Sequence, residues 1–176
     1  MKFLKSLWVD FSYIMGTFFG IGLIPFAPGT FASISIALLW FLVPDYFFYN
    51  SMEREIFYDT YLIFGAGLIL LSLISVFISS ECEKKLGHDA SSIVIDEVCG
   101  YLFAVIFLPK TVMVALYALI LFRIFDIGKP FFINKAQKLP KGWGIMLDDV
   151  LAGLCDNIVL QILYIVKPEF FLLSIY

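Results

Sequence analysis

No charged residue occurs between Asp10 and Asp45, and Pro25, Pro28 and Gly29 interrupt that run near its middle. About 20 residues at 1.5 Å each cross a ~30 Å hydrocarbon core, so the run is too long for one span. It divides into a half-helix around Phe11 to Ile24 and a span from near Thr30 to near Pro44. A polar, acidic segment from Asp45 to Asp59 comes next. Thr60 to Ser80 is uncharged throughout and predicts the cleanest transmembrane helix. After the polar stretch Ser79 to Ser92, a third span is expected from about Ser92 to Pro109, and Pro109-Lys110 reads as a tight turn. The fourth runs from about Thr111 to Asp126. A basic loop precedes the fifth, from near Ile145 to Val166, which stops before Lys167-Pro168. The predicted architecture is all-α, a multi-pass transmembrane bundle of about five membrane segments with an N-terminal re-entrant or interfacial half-helix. Without repeats or linkers, residues 1–176 form one expected domain.

Composition agrees with this pattern. The chain is 61% hydrophobic and only 15% charged, against ~25% in soluble domains, and a solvated surface of that kind would aggregate. Lipid is the expected surroundings. Cys82, Cys99 and Cys155 have no CxxC or CxH spacing, so neither a disulfide framework nor a zinc site is expected. Cys99 and Cys155 read as small buried hydrophobes. The N-terminus lacks a cleavage pattern, and its removal is not expected.

Charge position sets the orientation. With the N-terminus inside and the half-helix turning back, Lys2, Lys5, Lys84, Lys85, Arg123, Lys129, Lys135, Lys138 and Lys141 are cytoplasmic. Arg54, Lys110 and Lys167 are outside, a ratio of nine to three. A crossing half-helix would give seven to five, so the re-entrant or interfacial arrangement is preferred. It brings the turn Pro25 to Thr30, Asp96-Glu97, Asp126 and Asp148-Asp149 to the cytoplasmic side.

Those acids carry the chemistry. An ionised Asp at the bilayer centre costs about 3 kcal/mol on insertion scales. Five acids at one face, Asp96, Glu97, Asp126, Asp148 and Asp149, would repel unless a cation holds them, and hard oxygen ligands suit Mg2+. Each also has a plainer reading. Arg123 and Asp126 can pair at i,i+3, and Asp148-Asp149 can be solvated acids in a helix's first turn. The turn before Thr30, with Thr30 as N-cap, offers N–H groups to a phosphate, or is simply a proline-glycine break. Lys129 can neutralise phosphate charge or snorkel to headgroups. Lys135, Lys138 and Lys141 form a positive-inside loop or recruit anionic lipid. Gly16, Gly20 and Gly22 fit close helix packing better than a nucleotide loop. His88 reads as a solvated loop histidine, with general acid or metal ligand left open. Asp156, on the face of Asp149 and about two turns deeper, is a satisfied interhelical residue or an outer support of the site. A small cation transporter is a reading of another class, but a pathway needs polar residues through the full thickness, and the second span has no charge.

The blocks GIGLIPFAPGTFAS, SIVIDEVCG, LFRIFDIGKP and GWGIMLDDVLAG, in this order from about Gly16 to Gly153, resemble the phosphatidylglycerophosphatase A family. Departures from its pattern fall at Ile24, Ala32-Ser33 and Ala90-Ser91. The resemblance implies a small bacterial inner-membrane enzyme that uses Mg2+ to remove the terminal phosphate of phosphatidylglycerophosphate at the cytoplasmic face; another lipid phosphate is the alternative. It implies Asp96, Glu97, Asp126, Lys129 and Asp149 as catalytic, and Asp96, Glu97, Asp126, Asp148 and Asp149 as metal ligands. Pro28, Gly29, Thr30, Arg123 and Lys129 would bind substrate. Attack by water and by an Asp nucleophile both stay open. The expected partners are a phospholipid substrate and the membrane, not nucleic acid; no oligomeric state is implied.

Overall fold

The computed structural model describes residues 2–43, 49–50, 55–56, 58–87 and 90–171. Seven α-helices carry these residues: α1 Lys2–Gly16, α2 Pro28–Leu42, α3 Tyr58–Leu86, α4 Ile95–Val105, α5 Val112–Gly128, α6 Phe131–Gln137 and α7 Gly142–Val166. A two-stranded antiparallel ladder pairs Tyr49 with Ile56 and Asn50 with Glu55 between α2 and α3. α7 is the hub, packed on α3, α4, α5 and α6, while α1 lies on α3 and α2 on α4.

Two helices, within Thr60–Leu86 and Gly142–Val166, are long and apolar enough to cross a bilayer. Only 28% of the first and 33% of the second apolar window is buried, so most of each faces outward, unlike the core helix of a soluble protein. Ile63, Leu70, Phe77, Ile158, Ile162 and Val166 are among these exposed side chains. The sequence pattern predicts about five segments. Here α2 has 15 residues, α5 has 17 and α4 only 11. At 1.5 Å per residue α4 reaches about 17 Å, half a hydrocarbon core. The expected third span is shortened at both ends. Val94 is the N-cap, and beyond Val105 the chain leaves helical geometry, with Phe107 at φ 63°.

The start of the chain also differs from expectation. The first helix ends at Gly16 rather than near Ile24, because Phe18, Phe19 and Gly20 all adopt positive φ and turn the chain. Gly16 and Gly22 do serve packing, since a Cβ at either would strike Cys82 Sγ or Ser92 O. Gly20, at φ 92° with nothing near it, serves the turn instead. The outward face of α1 shows Leu4, Leu7, Trp8, Phe11 and Ile14. α2 starts one turn earlier than expected: Ala27 is its N-cap and Pro28 its first residue, so Thr30 lies inside the helix and is not the cap. α5 begins where Thr111 accepts the N–H of Val114 at 3.2 Å. The basic loop is partly helical, as α6. Cys82, Cys99 and Cys155 are free thiols, the first two buried.

The contact that matters most joins α4 to α7. A Cβ on Gly153 would run into Gly100 O, and one on Gly100 would meet Asp149 O and the Phe122 ring. The two backbones therefore touch without side chains between them, the packing that small residues permit in membranes.

Candidate metal centre

Asp96 and Asp149 each stand four residues, about one helical turn, before one of these touching glycines. The α4–α7 contact thus stacks their carboxyls side by side. Glu97 joins them from the first turn of α4, where the helix dipole favours acids. That turn is anchored from outside, because Val94 N–H donates to Gly16 O at 2.9 Å. One ligand oxygen from each of Asp96, Glu97 and Asp149 falls within 4.8 Å of the others, a spacing at which the triad can hold a metal ion. Asp96 and Asp149 are 8% and 3% exposed. Asp96 Oδ1, Glu97 Oε2 and Asp149 Oδ2 are buried without a hydrogen-bond partner among the described residues. Two unit charges 4.8 Å apart repel by about 3 kcal/mol at an effective dielectric near 20. Orphaned acceptors crowded in this way fit a hard divalent cation.

The other two acids of the expected set lie next to the triad, Asp126 beside Asp149, and each also has a cation as partner. Asp126, in the last turn of α5, lies 2.6 Å from Arg123 Nη1, the local i,i+3 pairing that its spacing allows. Asp148 meets Lys129 Nζ at 2.5 Å. Neither acid lies in the first turn of its helix, and Asp148 and Asp149 are nearly two turns into α7. Lys129 reaches across because it caps α5 in the left-handed region, at φ 37° and ψ 66°, a costly conformation for a lysine. Burial alone would lower the proton affinity of its ammonium. The bond to Asp148 and the charges of Asp148, Asp149 and Asp126 more than reverse this and hold it above the ordinary lysine range.

Cationic groups stand directly beside the triad. Arg123 Nη1 is 4.0 Å from Glu97 Oε1. Its Nη1 is ion-paired with Asp126, while Nε is buried without a hydrogen-bond acceptor among the described residues. The first turn of α2 closes the same space: a Cβ on Gly29 would strike Glu97 and come within 3.1 Å of Arg123 Nη1. Gly29 is buried, and Pro28 and Thr30 flank it half-buried. The structure therefore gathers Gly29, Asp96, Glu97, Arg123 and Asp149, with Asp126 and the Lys129–Asp148 pair alongside. Asp156 is fully buried farther along α7, and neither carboxylate oxygen has a hydrogen-bond partner among the described residues. His88 lies outside the described residues.

Sequence reasoning missed Gly100 and Gly153 as the contact that aligns the acids. It also missed Asn157, whose Nδ2 donates to Ala104 O at 2.8 Å and Ile106 O at 2.7 Å, satisfying the end of α4. The available signal was small residues inside two apolar runs and one amide within the second.

A family model described as Phosphatidylglycerophosphatase A matches residues 14–164. A Haemophilus influenzae protein named Phosphatidylglycerophosphatase A is 36% identical over 150 residues, 84% of this chain and 85% of that protein. The Escherichia coli protein of the same name is 29% identical over 144 residues, 80% of this chain and 76% of its own. A Bacteroides thetaiotaomicron protein, provisionally named a phosphatidylinositol-3-phosphatase, is 31% identical over 156 residues, 85% of this chain and 91% of that protein. No solved structure matches the chain.

Proposed function

The chain belongs to the phosphatidylglycerophosphatase A family of lipid phosphatases, and from that premise we propose that it hydrolyses the terminal phosphate of phosphatidylglycerophosphate to give phosphatidylglycerol. The reaction takes place at the cytoplasmic face of a bacterial inner membrane, with Mg2+ as cofactor. The observation that carries this reading is the pairing of opposite deficits among the described residues: carboxylate oxygens without donors on Asp96, Glu97 and Asp149, and beside them Arg123, whose Nε has no acceptor. A divalent cation answers the first and a phosphoryl group the second.

In this mechanism Asp96, Glu97 and Asp149 would hold Mg2+, with Asp126 and Asp148 as the supporting acids of the set. The metal, when bound there, would supply Lewis-acid neutralisation of phosphoryl charge. Arg123, held through Nη1 by Asp126, binds the equatorial phosphoryl oxygens through the rest of its guanidinium, which orients the ester for in-line attack. Lys129 stays protonated, holds Asp148 and adds positive charge on the side of α7. The first turn of α2, with Pro28, Gly29 and Thr30, lines the substrate's approach, and only glycine leaves room beside Glu97. Hydrolysis adds water to phosphorus, breaks the P–O bond to the lipid, and leaves the glycerol oxygen with a proton. The five-segment topology belongs to the same proposal: α2, α4 and α5 complete the bundle around the two long helices, and α1 lies at the interface with its apolar face in lipid.

The likeness to the Bacteroides protein favours one second reading, phosphatidylinositol 3-phosphate as substrate at the same site. Purified protein is assayed for phosphate release from phosphatidylglycerophosphate, phosphatidylinositol 3-phosphate and phosphatidic acid, with Mg2+ or with EDTA. The expected result is Mg2+-dependent turnover fastest on phosphatidylglycerophosphate. Faster release from the inositol lipid would replace the substrate; no release from any lipid by a folded sample would remove the enzymatic reading.

A further inference from the structure

The segment from Gly16 to Gly29 touches the start of α4 at three points. Gly16 O accepts the N–H of Val94 at 2.9 Å. A Cβ on Gly22 would strike Ser92 O, and one on Gly29 would strike Glu97. Asp96 and Glu97 follow Val94 by two and three residues, so the path of residues 92–94 sets where both carboxyls stand. Val94 is the N-cap of α4 and, as a valine, has no side-chain oxygen with which to cap it. The place of that helix end is therefore set from outside the helix.

The outer segment is braced in turn by Thr17, which is 1% exposed. Its hydroxyl donates to Tyr13 O at 2.8 Å and accepts the N–H of Gly20 at 3.2 Å. Its carbonyl accepts the N–H of Gly22 at 2.8 Å. One residue thus ties the last turn of α1 to both glycines of the turn that follows. The turn needs such ties. Phe18 and Phe19 are held at φ 45° and 56°, a left-handed backbone that is costly for phenylalanine and lasts only where the surroundings enforce it. Phe18 packs in one apolar cluster with Ile93, Val94 and Ile95, so the turn and the entry to α4 share a core. Of the ties through Thr17, those of the hydroxyl are the ones a substitution can remove.

We infer that Thr17 is a positioning residue for the metal centre: through the turn it braces, it fixes the entry of α4 and with it the spacing of Asp96 and Glu97 from Asp149. The inference rests on the reading of the acidic triad as a Mg2+ site. The hydroxyl supplies no ligand, being committed to Tyr13 and Gly20. Mg2+ demands a near-octahedral set of oxygens at about 2.0–2.1 Å, so a small shift in the first turn of α4 weakens binding before it unfolds the helix.

The test uses the full chain, with Mn2+ binding read by electron paramagnetic resonance and Mg2+ as competitor. Thr17→Val keeps the shape of the side chain without its hydroxyl, and should weaken Mn2+ binding at least fivefold. Thr17→Ser keeps the hydroxyl and should stay within twofold of wild type. Thr111→Val removes a capping hydroxyl at the start of α5, and should lower the thermal midpoint without changing Mn2+ binding. Unchanged binding in Thr17→Val, or equal weakening in Thr17→Ser or Thr111→Val, would overturn the inference. A measurement on the wild type decides the matter even where Thr17→Val fails to fold. Coupling is reciprocal, so Mg2+ should slow amide hydrogen exchange at Gly20 and Gly22. Exchange there that Mg2+ leaves unchanged would also overturn it. Wild type that binds no Mn2+ would remove the metal centre and this inference together, whereas normal binding by both wild type and Thr17→Val removes the inference alone.

Discussion

Two patches of buried polar groups lie on either side of the Gly100–Gly153 contact, and they are built in opposite ways. One turn before the glycines stand Asp96 and Asp149, with Glu97 beside them, and each has an oxygen without a partner. One turn after the same glycines stand Ala104 and Asn157. There the amide donates to two backbone carbonyls, and Gln161 Nε2 donates to Asn157 Oδ1 at 2.6 Å. The second patch is complete and closes the fold, since it caps a helix that ends inside the bundle, where no water would do so. The first is incomplete within the protein alone, so its polar groups are held ready for something else. The same backbone contact aligns both patches, and only their state of satisfaction separates structure from chemistry.

Substitutions can test that contrast. Asp149→Asn should lower phosphate release by about a thousandfold or more through loss of the cation's charge partner. The thermal midpoint measured with EDTA should hold or rise, because repulsion falls; a large drop in that midpoint would mean that Asp149 is a structural residue. Gly153→Ala should cost about 1–3 kcal/mol by overpacking, and shifting the acids by even ~1 Å should cost about a hundredfold in kcat. Thermal melts and initial rates on one sample would check both. Asn157→Leu leaves the carbonyls of Ala104 and Ile106 without their donor, at about 1–3 kcal/mol apiece, yet kcat per folded molecule should stay within about threefold. Asp156→Leu should have the smallest effect, with activity unchanged and stability equal or higher, since it removes a buried carboxyl without a hydrogen-bond partner. A strong loss of activity in Asp156→Leu with stability preserved would extend the reactive patch two turns deeper.

Much of this arrangement is legible in the chain, and the gaps have physical causes. The uncharged run 60–80 announces α3, and Thr111 marks the start of α5, because charge and capping groups are local signals. α4 is misjudged because the stretch from Val98 to Leu108 is apolar whether it coils or not, and Pro109 marks a turn without showing that the helix already stops at Val105. The acids can be gathered to one end from sequence, and the i,i+3 spacing already offers Arg123 to Asp126, but the pairing of Lys129 with Asp148 cannot be read there. That pairing depends on Lys129 adopting a left-handed conformation. Thr30 is misplaced as a cap because Pro28, pre-set for the first helical position, starts α2 one residue after Ala27. A lone amide such as Asn157 carries no sign of its partner 53 residues earlier.

The bare contact between Gly100 and Gly153 also limits how this protein could change over generations. Where side chains separate two helices, trading one methyl for another can adjust the gap by small steps. Here the gap is the thickness of the main chain itself, with no finer setting available. A descendant that needed the carboxyls of Asp96 and Asp149 at another distance would have to change those side chains themselves, because the main-chain gap beside them is not adjustable.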